Sequence, residues 1–403
     1  MLRRRTMMKT IDLVYFNAGG GHRSAARALE TVILEQGRPW RVRLVNLFEV
    51  LDPNNVFRKT AGFNPEDFYN KRLARGWTLG LQQELKLLQA AIRLGESAWG
   101  KRLQVHWMKT APDMVVSLVP NFNRLICKSL LQARPHAPYV VILTDLADYP
   151  PHFWLEPHQV QHVVCGTPRS AAQARAVCGA TSTIHATSGM IISPHFYRPS
   201  PIDRSVELGA LGFDPQKPTG IVLFGAHGSK AMLRIARLLD DTQLILVCGH
   251  NAALAAQLRA MPAPCSRLVV GFTSDIRYYM SLCDFFIGKP GPGSLSEAIQ
   301  QKLPVIVVRN RWTMPQERYN TDWVLENGVG LVLKSFKYVR IAVAQMTGRL
   351  DTFRRSIHAL RNTAVFEIPE LFEKILSGDS VARERLPMTP ELVPYKRVLS
   401  SGA

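Results

Sequence analysis

The sequence predicts an α/β protein built from two doubly wound units with a cleft between them. Three observations carry that reading. At 403 residues the chain is too long for one ordinary domain, and with 46% apolar residues it can bury two full-sized cores. Short β-like runs alternate with helical patterns in both halves, which implies parallel strands joined by crossover helices. Between residues 194 and 220 that rhythm stops, because prolines at 194, 199, 201, 215 and 218 interrupt regular structure and mark a linker.

In the first half, residues 11–16 read as a strand, followed by a glycine turn and a helix over 24–35. Ala25, Ala28, Leu29 and Val32 share one face of that helix. Further strands fall at 41–47, 114–118, 139–143 and 160–165. Beyond the linker the pattern restarts at 221–224, 243–248, 268–271, 284–287 and 304–308. The expected division is a first domain over 1–200 and a second over 201–350. Helices over 351–378 are expected to pack back toward the first domain, and the Pro-bearing stretch 379–403 to be a poorly ordered tail.

The formal charge of +19 means that the chain seeks anions, whether phosphorylated substrate, anionic lipid or nucleic acid. The charge is uneven: residues 1–110 hold 19 Lys and Arg against 9 Asp and Glu. Five of the seven tryptophans (Trp40, Trp77, Trp99, Trp107 and Trp154) fall in the first 154 residues. Cations beside indoles suit a membrane–water boundary. Residues 77–94 add a helical stripe at 81, 85, 88 and 92 flanked by Arg75, Arg93, Lys101 and Arg102, the pattern of a helix lying in a bilayer interface. The plainer alternative is a solvated basic face over ordinary core tryptophans. Nucleic acid is not an expected partner, since no recognised binding motif accompanies the charge.

The six cysteines show no CxxC or CxH spacing, so neither a zinc site nor a disulfide framework is indicated, and a reducing cytoplasm fits. The basic start resembles a signal n-region, but the apolar stretch after it is short and holds Asp12, so it reads as the first strand. No run approaches the ~18 apolar residues of a membrane span. Membrane contact is therefore expected to be peripheral, on the inner face of the cell membrane.

Three motifs carry chemistry. Asn17-Ala-Gly-Gly-Gly-His-Arg-Ser-Ala25 follows the first strand and opens a helix. Gly20 and Gly21 let backbone approach a ligand closely, and the helix N-terminus offers free N–H groups. His22 sits where open α/β sheets bind ligands and has a pKa suited to taking a hydroxyl proton. The second motif is Gly288-Lys-Pro-Gly-Pro-Gly-Ser-Leu-Ser-Glu-Ala298. Lys289, Gly291, Pro292 and Gly293 form a turn before a helix that Ser294 caps, an arrangement that holds a diphosphate on a helix dipole without a metal. Glu297, one turn in, reaches a ribose diol. In the third, Pro315-Gln-Glu-Arg-Tyr-Asn320, the side chains of Gln316, Glu317 and Asn320 line a helix face toward sugar hydroxyls. Gly225-Ala-His-Gly-Ser229 adds a backbone-exposing turn through Gly225, His227 and Gly228 that closes over the phosphates.

Together GGGHRSAA, KPGPGSLSEA and PQERYN resemble the motifs of monogalactosyldiacylglycerol synthases and diacylglycerol glucosyltransferases, relatives of the peptidoglycan N-acetylglucosaminyltransferase. Further echoes are Pro112-Asp-Met-Val-Val-Ser117, Thr144-Asp-Leu146, His152-Phe-Trp154, Ser188-Gly-Met190 with Pro194 and Phe196, and Gly271-Phe272. The similarity runs in order from about residue 11 to 335 and departs at Asn17-Ala18 and across 52–110, the stretch that should supply the lipid-binding surface. The resemblance implies a GT-B fold, two Rossmann-like domains facing across a cleft. It implies an inverting, metal-independent hexosyltransferase moving galactose or glucose from its UDP-sugar to diacylglycerol. By matching position it gives the diphosphate to Lys289, Gly291, Gly293 and Ser294, the ribose to Glu297, the sugar to Gln316 and Glu317, and the uracil to Phe272. His22 becomes the expected base, with Asp145 orienting or replacing it and Trp154 beside the acceptor. No cofactor beyond the donor is expected, and anionic lipid is the expected activator. The competing enzyme reading is a UDP-N-acetylglucosamine transferase acting on another lipid-linked or soluble acceptor. Nothing in the sequence fixes an oligomeric state.

Overall fold

The computed structural model describes residues 8–17, 20–54, 81–199 and 202–378. Trp77, the start of the 77–94 stripe, Gly19 and the 379–403 tail lie outside the described residues.

The described residues form two six-stranded, all-parallel sheets. The first contains β1 (Lys9–Tyr15), β2 (Trp40–Asn46), β3 (Met114–Ser117), β4 (Tyr139–Ile142), β5 (His162–Cys165) and β6 (Thr183–Ala186) in the order β2-β1-β3-β4-β5-β6. The second contains β7 (Thr219–Leu223), β8 (Gln243–Val247), β9 (Arg267–Val270), β10 (Phe285–Gly288), β11 (Val305–Val308) and β12 (Gly330–Leu333) in the order β12-β11-β10-β7-β8-β9. Strands β3, β4, β7, β8, β10 and β11 are buried throughout, as parallel strands covered on both faces must be. Strand order reverses beside β1 and β3 in the first sheet and between β7 and β10 in the second. Open α/β sheets bind ligands outside the carboxyl ends of their strands at such points.

Each sheet carries an apolar layer on either face. Val14, Val115 and Val141 enter one layer of the first sheet and Leu13, Val116 and Val140 the other. The chain then crosses back. Helix Leu350–Ala359 stays with the second unit, burying Phe353 and Ile357 in its cores, whereas helix Ala364–Ser377 buries Val365, Ile368 and Phe372 beside Leu29 and Val32 of the first.

Several sequence expectations shift. The first helix begins at Gly21 rather than Ser24, because Gly20 takes a left-handed backbone (φ 79) and caps it. The proline-rich stretch is not featureless: Pro194–Tyr197 forms a 3₁₀ turn, and Asp203 caps a helix over Arg204–Ala210 by accepting from the Ser205 and Val206 amides. The edge strands β6 and β12 carried no recognised signal.

Among the described residues, the tryptophans of the first unit pack into its cores rather than forming a membrane belt. Trp40, Trp107 and Trp154 are buried, and Trp107 donates to Ser129 Oγ at 3.1 Å. An indole is mostly hydrocarbon, so burial with one satisfied N–H competes well with an interfacial position. Of the 81–92 stripe, Leu85 and Ile92 turn inward, packing into the first core with Trp99, Leu103 and Trp107 of helix Leu81–Thr110, whereas Leu88 is exposed.

Candidate active site

The first half of the site lies on the turns after β1, β3 and β4. No side chain caps helix Gly21–Glu35, so its first N–H groups stay open to a ligand. His22, in its first turn, is half-buried, with Nδ1 3.3 Å from Thr144 Oγ1 and a hydrogen bond to the Leu118 backbone. Burial favours the neutral imidazole and lowers its pKa to about 4. Asp145 is nearly buried, and its Oδ2 accepts from Trp154 Nε1 at 2.8 Å. Desolvation raises the Asp145 pKa to about 7; the indole bond and Lys289 oppose the shift and Glu317 adds to it. Trp154 itself is 1% exposed, too deep to touch an acceptor. Its place is behind Asp145, with its ring 6.1 Å from that of His22. Gly20 and Gly21 are exposed at the mouth.

The second half lies on the carboxyl ends of β7 to β11. Helix Pro292–Gln300 follows β10 with Gly291 as its cap and Pro292 in its first turn, so Ser294 stands inside the first turn rather than capping it. Proline lacks an N–H and has its φ preset, which fixes the helix start before Ser294 is reached. Gly293 is exposed and Gly291 buried. Lys289 Nζ pairs with Glu317 Oε1 at 3.2 Å, and Gly291 packs beside both side chains. Glu297 is half-buried, and desolvation alone raises its pKa to about 7.

Asn320 does not face a sugar. It is fully buried and donates from Nδ2 to the Pro290 carbonyl at 2.7 Å, bracing the Lys289–Gly291 turn. Gln316 is half-buried, its amide near Met314 Sδ. In the turn after β7, Gly225 (φ 75) and Gly228 (φ 60) hold left-handed backbone that a side chain would strain, and Gly225 abuts Lys289. His227, within that turn, has its ring 6.2 Å from that of His250, and His250 stacks on Phe272 at 4.1 Å with 15° between the rings. Phe272 is 62% exposed, a flat aromatic face open to solvent.

Two participants escaped the sequence reading. His250 had a usable signal, because Cys248-Gly249-His250 repeats the strand–glycine turn seen after β1 and β7. Thr144 stood within the Thr144-Asp-Leu146 echo but was given no role there, since a threonine at a strand end is ordinary. Between the halves, Asp145 feels the charges of Glu317 and Lys289. Leu146, Ala147 and Met190 of the first unit pack with Tyr319 and Trp323 of the second. Among the described residues no group of three or more His, Cys, Asp or Glu is arranged to hold a metal ion. The arrangement can take a proton on one side of the cleft and receive developing negative charge on the other.

No family model matches the chain. Among curated proteins it is similar to a probable monogalactosyldiacylglycerol synthase 2 of Oryza sativa subsp. japonica, 26% identical over 416 residues, covering 98% of this chain and 84% of the relative. A probable monogalactosyldiacylglycerol synthase of Nicotiana tabacum is 27% identical over 391 residues, covering 89% and 69%. Among solved structures, Acinetobacter baumannii MurG superposes with a TM-score of 0.58 at 12% identity, over 91% of this chain and 99% of that one. The UDP complex of Os79 from O. sativa gives 0.61 at 13% identity, over 92% and 100%. The fold is therefore GT-B, and the resemblance read from the three motifs is matched by relatives along nearly the whole chain.

Proposed function

We propose that this glycosyltransferase, GT-B in fold and related to the monogalactosyldiacylglycerol synthases, moves galactose or glucose from its UDP-sugar to diacylglycerol at an anionic membrane surface. The observation that carries the reading is the opposition of two half-sites: His22 and Asp145 on one sheet edge, Lys289 and the open helix start at Gly291 on the other. The donor diphosphate lies against Lys289 and the first N–H groups of Pro292–Gln300, with the ribose at Glu297 and the base on the free face of Phe272. The acceptor hydroxyl enters beside Gly20 and Gly21.

The hydroxyl oxygen bonds to the anomeric carbon as the bond from that carbon to the diphosphate oxygen breaks. Its electron pair leaves on UDP, and the hydroxyl proton passes to His22. Ionised Asp145 favours the resulting imidazolium. Attack opposite the leaving group inverts the anomeric centre. Lys289 and the helix dipole answer the charge on UDP, so the reading requires no metal, and activity retained in excess chelator would bear on that point directly.

Membrane contact is assigned to the outward face of helix Leu81–Thr110. Leu87, Ala91, Leu94 and Ala98 recur at steps of four and three along it, opposite the core face, with Val105 and Met108 continuing the line two turns later, and Leu94 is 89% exposed. Exposed Lys86, Arg93, Lys101 and Lys109 flank the stripe. Among the described residues no helix is long and apolar enough to cross a membrane. The double variant Leu94→Glu with Val105→Glu is expected to bind anionic vesicles at least about tenfold more weakly in co-sedimentation, since charge in place of apolar area opposes insertion. Unchanged sedimentation would remove this face from the interface.

The deciding experiment offers UDP-galactose, UDP-glucose and UDP-N-acetylglucosamine separately to purified protein, with diacylglycerol in anionic vesicles. Chloroform-soluble label from one of the hexose donors is the expected result. Label only from UDP-N-acetylglucosamine, or only on a different acceptor, would replace this substrate pair.

A further inference from the structure

We infer that Arg169 is a positioning residue that clasps the two units together, holding the loop of Asp145 against the segment that carries Glu317. The inference rests on the transfer reading above, because it concerns how the two half-sites are kept opposed.

Arg169 stands in the first turn of helix Pro168–Cys178 in the first unit. One edge of its guanidinium grips Asp148, with Nε to Oδ1 at 2.9 Å and Nη2 to Oδ2 at 2.7 Å. This is the two-pronged geometry that fixes both position and orientation of a carboxylate. Asp148 needs fixing, since it holds a left-handed backbone (φ 56) unusual for a residue with a side chain. The same helix end secures the rest of the loop. Thr167 Oγ1 donates to the Leu146 carbonyl at 2.6 Å, and Gln173 Oε1 accepts from the Asp148 amide at 2.9 Å. Asp145 lies three residues before Asp148.

The other side of Arg169 meets the second unit. Its guanidinium lies 4.6 Å from the centroid of the Tyr319 ring, and Nη1 is 3.9 Å from Glu326 Oε1. Tyr319 donates to Glu326 Oε2 at 2.9 Å, so the ring and the carboxylate present one surface. Tyr319 follows Glu317 by two residues and is buried against Leu146, Ala147 and Met190. One side chain thus joins the strained loop behind Asp145 to the helix start behind Glu317. The ion pair with Glu326 is long and half-exposed and contributes little alone. Stacking on Tyr319 with a two-point grip on Asp148 is geometry that lysine cannot reproduce.

The test compares Arg169→Ala and Arg169→Lys with Tyr319→Leu, which removes the platform from the opposite unit. The donor binds to the second unit, so UDP affinity by calorimetry should stay within about twofold, whereas kcat should fall by about ten- to a hundredfold, the cost of small misplacement at a reacting centre. Lysine should restore part of the loss. Small-angle scattering of the UDP-bound protein should show a larger radius of gyration for Arg169→Ala, and this readout needs no acceptor. A wild-type protein that transfers nothing, yet expands on Arg169→Ala, would overturn the reaction and leave the clasp. Unchanged kcat with unchanged dimensions, or kcat and UDP affinity falling by the same factor, would overturn the clasp itself.

Discussion

Replacing His22 with Ala is expected to lower transfer by about 10²- to 10⁴-fold, the usual worth of a positioned base, with UDP affinity within a factor of two. The split follows from the architecture, since His22 and Lys289 belong to different sheets. The pH dependence is equally specific. His22 is neutral above a pKa of about 4, so its own titration does not limit the rate near neutrality. Asp145 titrates at about 7, and its ionised form is the one that favours an imidazolium. The acid limb of kcat/KM should therefore lie near pH 7 and vanish in Asp145→Asn, at a lower overall rate. A limb near pH 4 that survives in Asp145→Asn would take Asp145 out of the proton transfer.

The same two groups leave opposite marks on stability. The folded pKa of Asp145 lies above its unfolded value of 3.8, so its contribution is complete below that pH and is lost as pH rises through about 7. His22 is depressed from 6.5 to about 4, so its contribution is present above 6.5 and is lost as pH falls through 4. Both windows span about pH 4 to 7 and the two effects oppose each other there, so Asp145→Asn should make stability fall more steeply as the pH drops through that range.

The second large effect concerns the last described helix. Phe372→Ala is expected to destabilise the first unit by about 3–5 kcal/mol, the range for removing a fully buried phenylalanine from a core. The helix is well tied there. Lys9 Nζ donates to the Leu376 carbonyl at 2.6 Å, Arg38 pairs with Glu373, and Glu367 accepts from the Ser188 amide at 2.9 Å. Denaturant unfolding followed by a reporter in each half should show the first unit's transition moving and the second unit's staying. A shift confined to the second unit would contradict the packing.

Much of the fold was legible because parallel strands announce themselves as short apolar runs between helices. Residues 139–143 and 221–224 anticipate β4 and β7 on that signal alone. The edge strands β6 and β12 were not, since an edge strand such as Thr-Ile-His-Ala carries little apolar contrast. Strand order leaves no mark in local periodicity at all. At the site, glycine turns after strands pointed to His22, Lys289 and Gly291, whereas burial decided the rest. Trp154 and Asn320 look like ligand-facing polar groups in one dimension, yet both face inward, where each satisfies a neighbour. Helix Leu81–Thr110 was half legible. It has an apolar face toward the core and a second toward solvent, and the two blur into one weak pattern.

The return of helix Ala364–Ser377 has a consequence for how the chain is made. The first sheet is complete once β6 leaves the ribosome, but the layer over Leu29 and Val32 lacks Val365, Ile368 and Phe372 until some 180 further residues have followed. At synthesis rates of ~5–20 residues per second, the nascent first unit carries an uncovered apolar face for roughly 10–40 seconds. The second unit needs no such wait, since its cores draw mainly on neighbouring sequence. Newly made chains should therefore depend on chaperones through the first unit. A gene split at the linker should yield a well-behaved second half and an aggregating first half, unless residues 364–378 are supplied in trans.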